Sequence, residues 1–139
     1  MVGVTSHLLA KGQPLRDAPE EVEDYAVATI ELATGTIVRL ACSWRLQAGC
    51  DCIIDASFYG TAGGAALRNV NGSFYDFTAD LFSGTSSQRL LDPPDEWGGR
   101  AATAWAEQLV QRQGFDPAAE HLVDVAALID RIYSYARQP

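Results

Sequence analysis

The chain has 139 residues, 47% of them hydrophobic, which is enough for one domain (residues 1–139) with its own core. Its formal net charge of −8 repels phosphate backbones and anionic lipid, so neither nucleic-acid nor membrane partners are expected. No apolar run reaches the roughly 20 residues that cross a bilayer, and residues 1–10 lack the pattern of a signal peptide, so the expected location is the cytoplasm.

Alternating and apolar segments in the first two thirds of the chain predict six or seven β-strands. A tight turn at Thr34-Gly35 and another at Asn71-Gly72 indicate hairpins, because glycine supplies the positive φ that such turns need. The glycine-rich segment 60–64 is also predicted to be a turn. The predicted strands are residues 2–9, 22–33, 36–45, 50–59, 65–70 and 73–79, with a short edge strand at 88–91.

Two amphipathic helices are predicted in the last third. The first covers residues 100–113, and Gly114 ends it. Asp116 is the predicted N-cap of the second helix, with Pro117 at its first position. The apolar stripe of the second helix consists of Leu122, Val125, Ala126, Ile129, Ile132, Tyr133 and Ala136.

This order of elements predicts an α+β fold. We expect an open-faced, largely antiparallel sheet of six or seven strands with two C-terminal helices on one face. Two helices cover only one face of such a sheet. The bare apolar face therefore predicts self-association into a homo-oligomer.

The sequence contains no complete catalytic motif. Glycine-rich phosphate-binding motifs and nucleophile elbows are missing, and His7 and His121 lie far apart. Asp51 and Asp55 are expected to share one face of a strand, which is a common and nonspecific arrangement.

Three cysteines, Cys42, Cys50 and Cys52, lie within eleven residues. A metal site is one interpretation. The favoured one is structural, because a Cys-x-Cys pair on a strand places two small apolar side chains on one face, and zinc sites use wider spacing. No metal site is therefore predicted.

One segment has the residue types of a ligand-binding site, although the residues by themselves favour a structural role. Trp44 and Arg45 close a predicted strand, and Gln47 and Asp51 follow in the next loop. An indole beside polar groups suits a sugar or polyol, because the ring covers an apolar face while its neighbours bind hydroxyls. The competing interpretation is that Trp44 packs under the loop and Arg45 is solvated.

Several segments, in order, resemble the C-terminal domain of Gfo/Idh/MocA-type oxidoreductases. They are VEDYAVATIELATGT (22–36), Ser43-Trp44, FYGTAGG (58–64), a helix with Trp105 and Leu109, and HLVDVAALIDRIYSYA (121–136). The resemblance covers nearly the whole chain. Each motif is weak by itself, and their order carries the similarity.

The resemblance implies a domain that binds part of a sugar- or polyol-type substrate and pairs subunits through its sheet. NAD or NADP is implied for the full-length enzyme, but not for this chain, which lacks a Rossmann unit, the E-K-P motif and the catalytic helix. Its only lysine is Lys11, so no catalytic residue is carried over and the chain is expected to be inactive alone. The resemblance also raises Trp44, Arg45, Gln47 and Asp51 as substrate contacts. The rival hypothesis is a stand-alone protein-interaction module that uses the open sheet face.

Overall fold

The computed structural model describes residues 3–15, 21–111 and 116–137. Its strands form two antiparallel four-stranded sheets. The first sheet, in the order β2-β1-β3-β4, consists of β1 (Gly3–Ala10), β2 (Gln13–Pro14), β3 (Tyr25–Glu31) and β4 (Ile37–Ser43). The second, in the order β5-β6-β7-β8, consists of β5 (Asp55–Tyr59), β6 (Gly64–Asn69), β7 (Phe77–Ser83) and β8 (Ser86–Leu91). The helices are α1 (Arg100–Gln111) and α2 (Glu120–Ala136).

The predicted α+β class with antiparallel strands is confirmed, and the sheet differs in detail. In place of one sheet of six or seven strands, the chain forms two sheets, because residues 44–54 adopt no strand. The chain also divides into two compact units between Leu46 and Gln47 and again before Asp116. The first unit holds the first sheet and α2, and the second holds the second sheet and α1. That the whole chain acts as a single domain remains a prediction.

Glycine turns form the hairpins of the first sheet. Gly35, with a φ of 81°, completes the predicted turn between β3 and β4, which is a three-residue loop closed by the Leu32 and Thr36 backbones at 3.0 Å. A second tight turn at Lys11-Gly12 joins β1 to β2, within the connection between the predicted strands 2–9 and 22–33. Residues 16–20 of that connection lie outside the described part of the chain.

The core of the first unit lies between one face of its sheet and the C-terminal half of α2. Ser6, on β1, donates a hydrogen bond of 2.6 Å from its hydroxyl to the carbonyl oxygen of Ile132 on α2. This bond satisfies a buried polar group and fixes the helix against the sheet. The buried apolar residues of this core are Leu8, Ala10, Leu15, Ala26, Ala28, Ile30 and Ile132.

Strand alternation decides which side chains of β3 meet the helix. Ala28 and Ile30 are buried on the α2 side. Val27 and Thr29, which alternate with them along the strand, therefore point to the opposite face. The sequence predicted the alternation but could not assign the faces. Within the first unit, α2 packs on β1, and no described element of that unit covers the opposite face.

The second helix begins as predicted. Asp116 is the N-cap, its carboxylate accepts the backbone N–H of Ala118 at 2.9 Å, and residues Pro117–Ala119 form a 3-10 turn that leads into α2. Only the C-terminal half of the predicted stripe is used. Ile132 is buried, and Tyr133 and Ala136 are partly buried, whereas the stripe residues Leu122, Val125 and Ile129 are exposed.

The second unit is a thin structure whose only buried residue, among those described, is Ala66. Asn71 and Gly72 both have positive φ, which confirms the predicted turn. The strand after it starts at Phe77 and not at residue 73, because the Ser73 hydroxyl accepts the backbone N–H of Asp76 and donates to the carboxylate of the same residue. These local bonds hold residues 73–76 in a loop.

The predicted helix 100–113 corresponds to α1, and Arg112, Gln113 and the predicted C-cap Gly114 lie outside the described residues. None of the twelve residues of α1 is buried, so the prediction of two helices on one sheet face differs from the structure. Neither α1 nor α2 has the length and apolar character that crossing a bilayer would require.

Candidate functional site

The end of the first sheet presents an exposed tryptophan in a fixed orientation. Trp44 directly follows β4, and its indole N–H donates to the carbonyl oxygen of Glu23 at 2.8 Å. The ring is nevertheless 69% exposed. The guanidinium of Arg45 lies 5.4 Å from the ring centroid, a cation–π arrangement. The N–H group of the indole is therefore satisfied, while much of the apolar surface of the ring remains accessible.

The side chain of Ser43 holds the backbone on both sides of Trp44 by hydrogen bonds. The Ser43 hydroxyl donates to the carbonyl oxygen of Asp24 at 2.6 Å and accepts the backbone N–H of Arg45 at 3.1 Å. The carboxylate of Asp24 accepts the backbone N–H of Lys11 at 2.9 Å. These contacts order the chain on both sides of the tryptophan.

A shallow depression of about 260 Å³ adjoins this tryptophan. It combines an indole, two carboxylates and a hydroxyl, which is the mixture of apolar and polar groups that binds polyhydroxylated molecules. The lining residues are Glu23, Asp24, Tyr25, Ala26, Cys42, Ser43 and Trp44.

One of those carboxylates is tied to α2. The Tyr133 hydroxyl donates a hydrogen bond to the carboxylate of Glu23, and this bond, together with partial burial, raises the pKa of Tyr133 to about 12. The bond joins the start of β3 to the helix and fixes one wall of the depression.

The Tyr133 bond predicts a pH-dependent contribution to stability. The folded pKa is raised above the unfolded value of about 10, so the contribution is complete below pH 10 and is lost as the pH rises to about 12. Urea titrations should show that Tyr133→Phe lowers the free energy of unfolding by on the order of 1 kcal/mol at pH 8, with the gap closing at pH 12. Tyr135→Phe, the same substitution on the same helix at a side chain that is 40% exposed, is the matched control. A constant gap for Tyr133→Phe would contradict the prediction.

The four predicted ligand contacts are divided between the two units. Trp44 and Arg45 are adjacent and exposed in the first unit. Gln47 and Asp51 are exposed in the loop that precedes β5 in the second unit. That all four residues contact one ligand remains a prediction. Trp44 is 69% exposed, and Arg45 is exposed, as the competing interpretation held for Arg45.

The predicted strand 50–59 is shorter in the structure, and residues 50–54 do not belong to it. β5 starts at Asp55, so Cys50, Asp51 and Cys52 lie in a loop and not on a strand. The cysteine pair therefore does not pack on a sheet face, and Asp51 does not share one with Asp55.

The pKa of Asp55 lies below its ordinary value because Ser57 and Arg68 donate hydrogen bonds to its carboxylate. Asp55 is part of an ion pair.

Cys52 is held against the Asn71-Gly72 turn. Its thiol lies 3.2 Å from the carbonyl oxygen of Gly72 and 3.4 Å from that of Ser73. The side-chain amide of Asn69 donates to the Cys52 carbonyl oxygen at 3.0 Å, lies 3.2 Å from its sulfur, and accepts the backbone N–H of Ile54 at 2.9 Å through its oxygen. Asn69 thereby replaces the strand pairing that the sequence predicted here.

The histidines occupy separate surfaces. His121 is 82% exposed on α2, with its ring 3.6 Å from the carboxylate of Asp124, a surface position as predicted. His7 lies on β1, opposite Val27 of β3, and so belongs to the face of the first sheet that α2 does not cover.

The sequence did not predict the cluster of polar side chains on the face of the first sheet that α2 does not cover. Register places Thr5, Thr29 and Arg39 side by side across three strands, and His7 lies in the neighbouring row. With Tyr25 they line a depression of about 410 Å³. Alternation along each strand indicates which of its own residues share a face. Only the pairing register places residues of different strands side by side.

No three His, Cys, Asp or Glu side chains in the described ranges come together in a way that could hold a metal ion. Comparisons with protein-family profiles, characterised proteins and solved structures find no match for this chain.

Proposed function

We propose that this chain is the substrate-binding and dimerisation domain of an NAD(P)-dependent dehydrogenase of the sugar or polyol type, and that it is inactive in isolation. The support is the ordered series of motifs that resembles Gfo/Idh/MocA-type oxidoreductases, in which an open-faced antiparallel sheet carries helices on one side. In this proposal NAD or NADP binds to a Rossmann unit elsewhere in the enzyme.

The observation that carries the proposal is the asymmetry of the first sheet. α2 packs on one face, where Ala26, Ala28 and Ile30 are buried. No described element of the unit covers the opposite face, which carries Val27 and Ile37 among polar side chains. A sheet face of this kind suits pairing with a second copy, because interfaces combine apolar contact with satisfied polar groups.

The substrate contact in this proposal centres on Trp44. Its ring offers an apolar surface for the C–H face of a sugar, and the carboxylates of Glu23 and Asp24 are acceptors for hydroxyls. Arg45 lies over part of the ring, so a ligand would use the remaining indole surface and the depression beside it.

Saturation-transfer NMR tests the substrate contact directly. A panel of hexoses and cyclic polyols at millimolar concentration should give saturation transfer to the ring protons of at least one compound. Trp44→Ala should reduce that transfer at least about twofold, since an aromatic contact contributes about 0.5–1.5 kcal/mol. Trp105→Ala is the matched control, because Trp105 is 60% exposed on α1 and belongs to no described pocket.

Equal transfer in wild type and Trp44→Ala would contradict the role of Trp44. No transfer from any compound would contradict a sugar or polyol site in this chain. Calorimetry with NAD(H) and NADP(H) should give no heat of binding, because the chain has no phosphate-cradling βαβ unit. A micromolar dissociation constant would overturn that part of the proposal.

The alternative is a stand-alone protein-interaction module. The favouring observation is α1, whose apolar residues Trp105, Leu109 and Val110 are all exposed. If the unmodified chain is a monomer with no sugar or polyol binding, this alternative replaces the dehydrogenase domain. If it is a dimer that binds a polyol through Trp44, the alternative is excluded.

A further inference from the structure

The loop before β5 brings two free thiols to one turn. Cys50 and Cys52 are separated by a single residue, and the chain bends at residues 49–51, where Gly49 has a φ of 72°. The bend directs the Cys50 thiol back along the loop, 3.5 Å from the carbonyl oxygen of Cys52. A strand, as predicted from sequence, would have extended this segment.

Both sulfurs approach Gly72. The Cys52 sulfur lies 3.2 Å from the Gly72 carbonyl oxygen. A Cβ at Gly72 would lie 2.8 Å from the Cβ of Cys50 and 3.6 Å from its sulfur. The glycine therefore lets the loop and the turn approach closely, and this holds the two thiols in the same small region.

The two thiols differ in accessibility. Cys50 is exposed, whereas Cys52 is half-buried and bonded to two carbonyl oxygens of the turn. Exposure favours attack by the Cys50 thiol on an external disulfide, and the Cys52 thiol lies two residues further along in the same bend.

We propose that Cys50 and Cys52 form a redox-active dithiol that exchanges with low-molecular-weight disulfides. The Cys50 thiolate attacks one sulfur of R–S–S–R, which forms the Cys50–S–S–R bond and releases RS⁻. The Cys52 thiolate then attacks the Cys50 sulfur, which closes the Cys50–Cys52 bond and releases the second RS⁻. The two protons pass to the released thiolates, so two protein thiols are oxidised and one small disulfide is reduced.

Closure of this disulfide changes the loop. An oxidised Cys52 has no S–H to donate to the carbonyl oxygens of Gly72 and Ser73, so the loop loses both contacts with the turn. Asp51 lies between the two cysteines and moves with them. This site is independent of the proposed dehydrogenase function, since it rests on the loop alone.

Oxidised glutathione and mass spectrometry test the proposal on the full chain. Trypsin cleaves after Arg39, Arg45 and Arg68, so Cys42 falls on the peptide 40–45 while Cys50 and Cys52 share the peptide 46–68. After incubation with oxidised glutathione, the peptide 46–68 should lose the mass of two hydrogens and carry no glutathione. Cys52→Ser should instead accumulate one glutathione on Cys50, because no second thiol displaces it.

Cys42→Ser is the matched control, an exposed cysteine in β4 whose replacement should leave closure of the pair unchanged. Circular dichroism of each serine variant establishes that it is folded. Two glutathiones on the peptide 46–68 of the wild type, or no reaction at Cys50, would overturn the proposal. So would a Cys42-linked disulfide as the main product.

Discussion

Val27→Asp is expected to convert a dimer of this chain into a folded monomer. Val27 lies on the face of the first sheet that α2 does not cover, between His7 of β1 and Ala41 of β4. A carboxylate at the centre of a face-to-face dimer would be desolvated without a partner from the second copy, which costs about 3–5 kcal/mol. The dimer dissociation constant should therefore rise at least about 100-fold.

The monomer should stay folded, because the same carboxylate remains in water when the face is free. Light scattering at tens of micromolar should give twice the chain mass of 15.0 kDa for the wild type and the single mass for Val27→Asp.

Ala28→Asp is the matched control at the neighbouring position. Ala28 is 5% exposed and faces α2, so this carboxylate enters the core and should abolish the fold of the first unit. Circular dichroism separates the two outcomes. A wild-type chain that scatters as a 15.0 kDa monomer would contradict dimerisation, and an unfolded Val27→Asp would contradict the assignment of the faces.

Ile132→Ala is expected to destabilise the first unit by about 2–5 kcal/mol. Ile132 is the one buried residue among those described in α2, and it belongs to the same core as Leu8, Ala28 and Ile30. Its removal leaves a cavity at the place where the helix meets the sheet. Because the chain divides into two compact units, the measurement is residue-resolved: hydrogen exchange at the Leu8 and Ala28 amides, whose protection should fall roughly 30-fold or more.

Ile129→Ala provides the matched control, with the same substitution three residues away on a side chain that is 47% exposed. The loss there should stay below about 1 kcal/mol. Equal losses of stability at both positions would show that Ile129 is also covered in solution. That result would contradict the arrangement of the first unit, in which Ile129 is exposed.

Local signals were sufficient for much of the secondary structure. The alternation of β3, the glycine of the β3–β4 turn and the Asp116-Pro117 start of the second helix act within a few residues of the chain, and each appears where it was predicted. Their physical causes, side-chain alternation, positive φ and N-capping, do not depend on distant contacts.

Long-range contacts decided the rest. The bond from Ser6 to Ile132 joins residues 126 apart and fixes which face of the first sheet becomes core. Asn69 binds the backbone of residues 52–54 through its side chain, so a segment with a strand-like sequence becomes a loop and the strands divide into two sheets. The sequence by itself determined where most strands and helices form. Only the tertiary structure decided how they are grouped, because side-chain partners far along the chain compete with local strand preference and prevail.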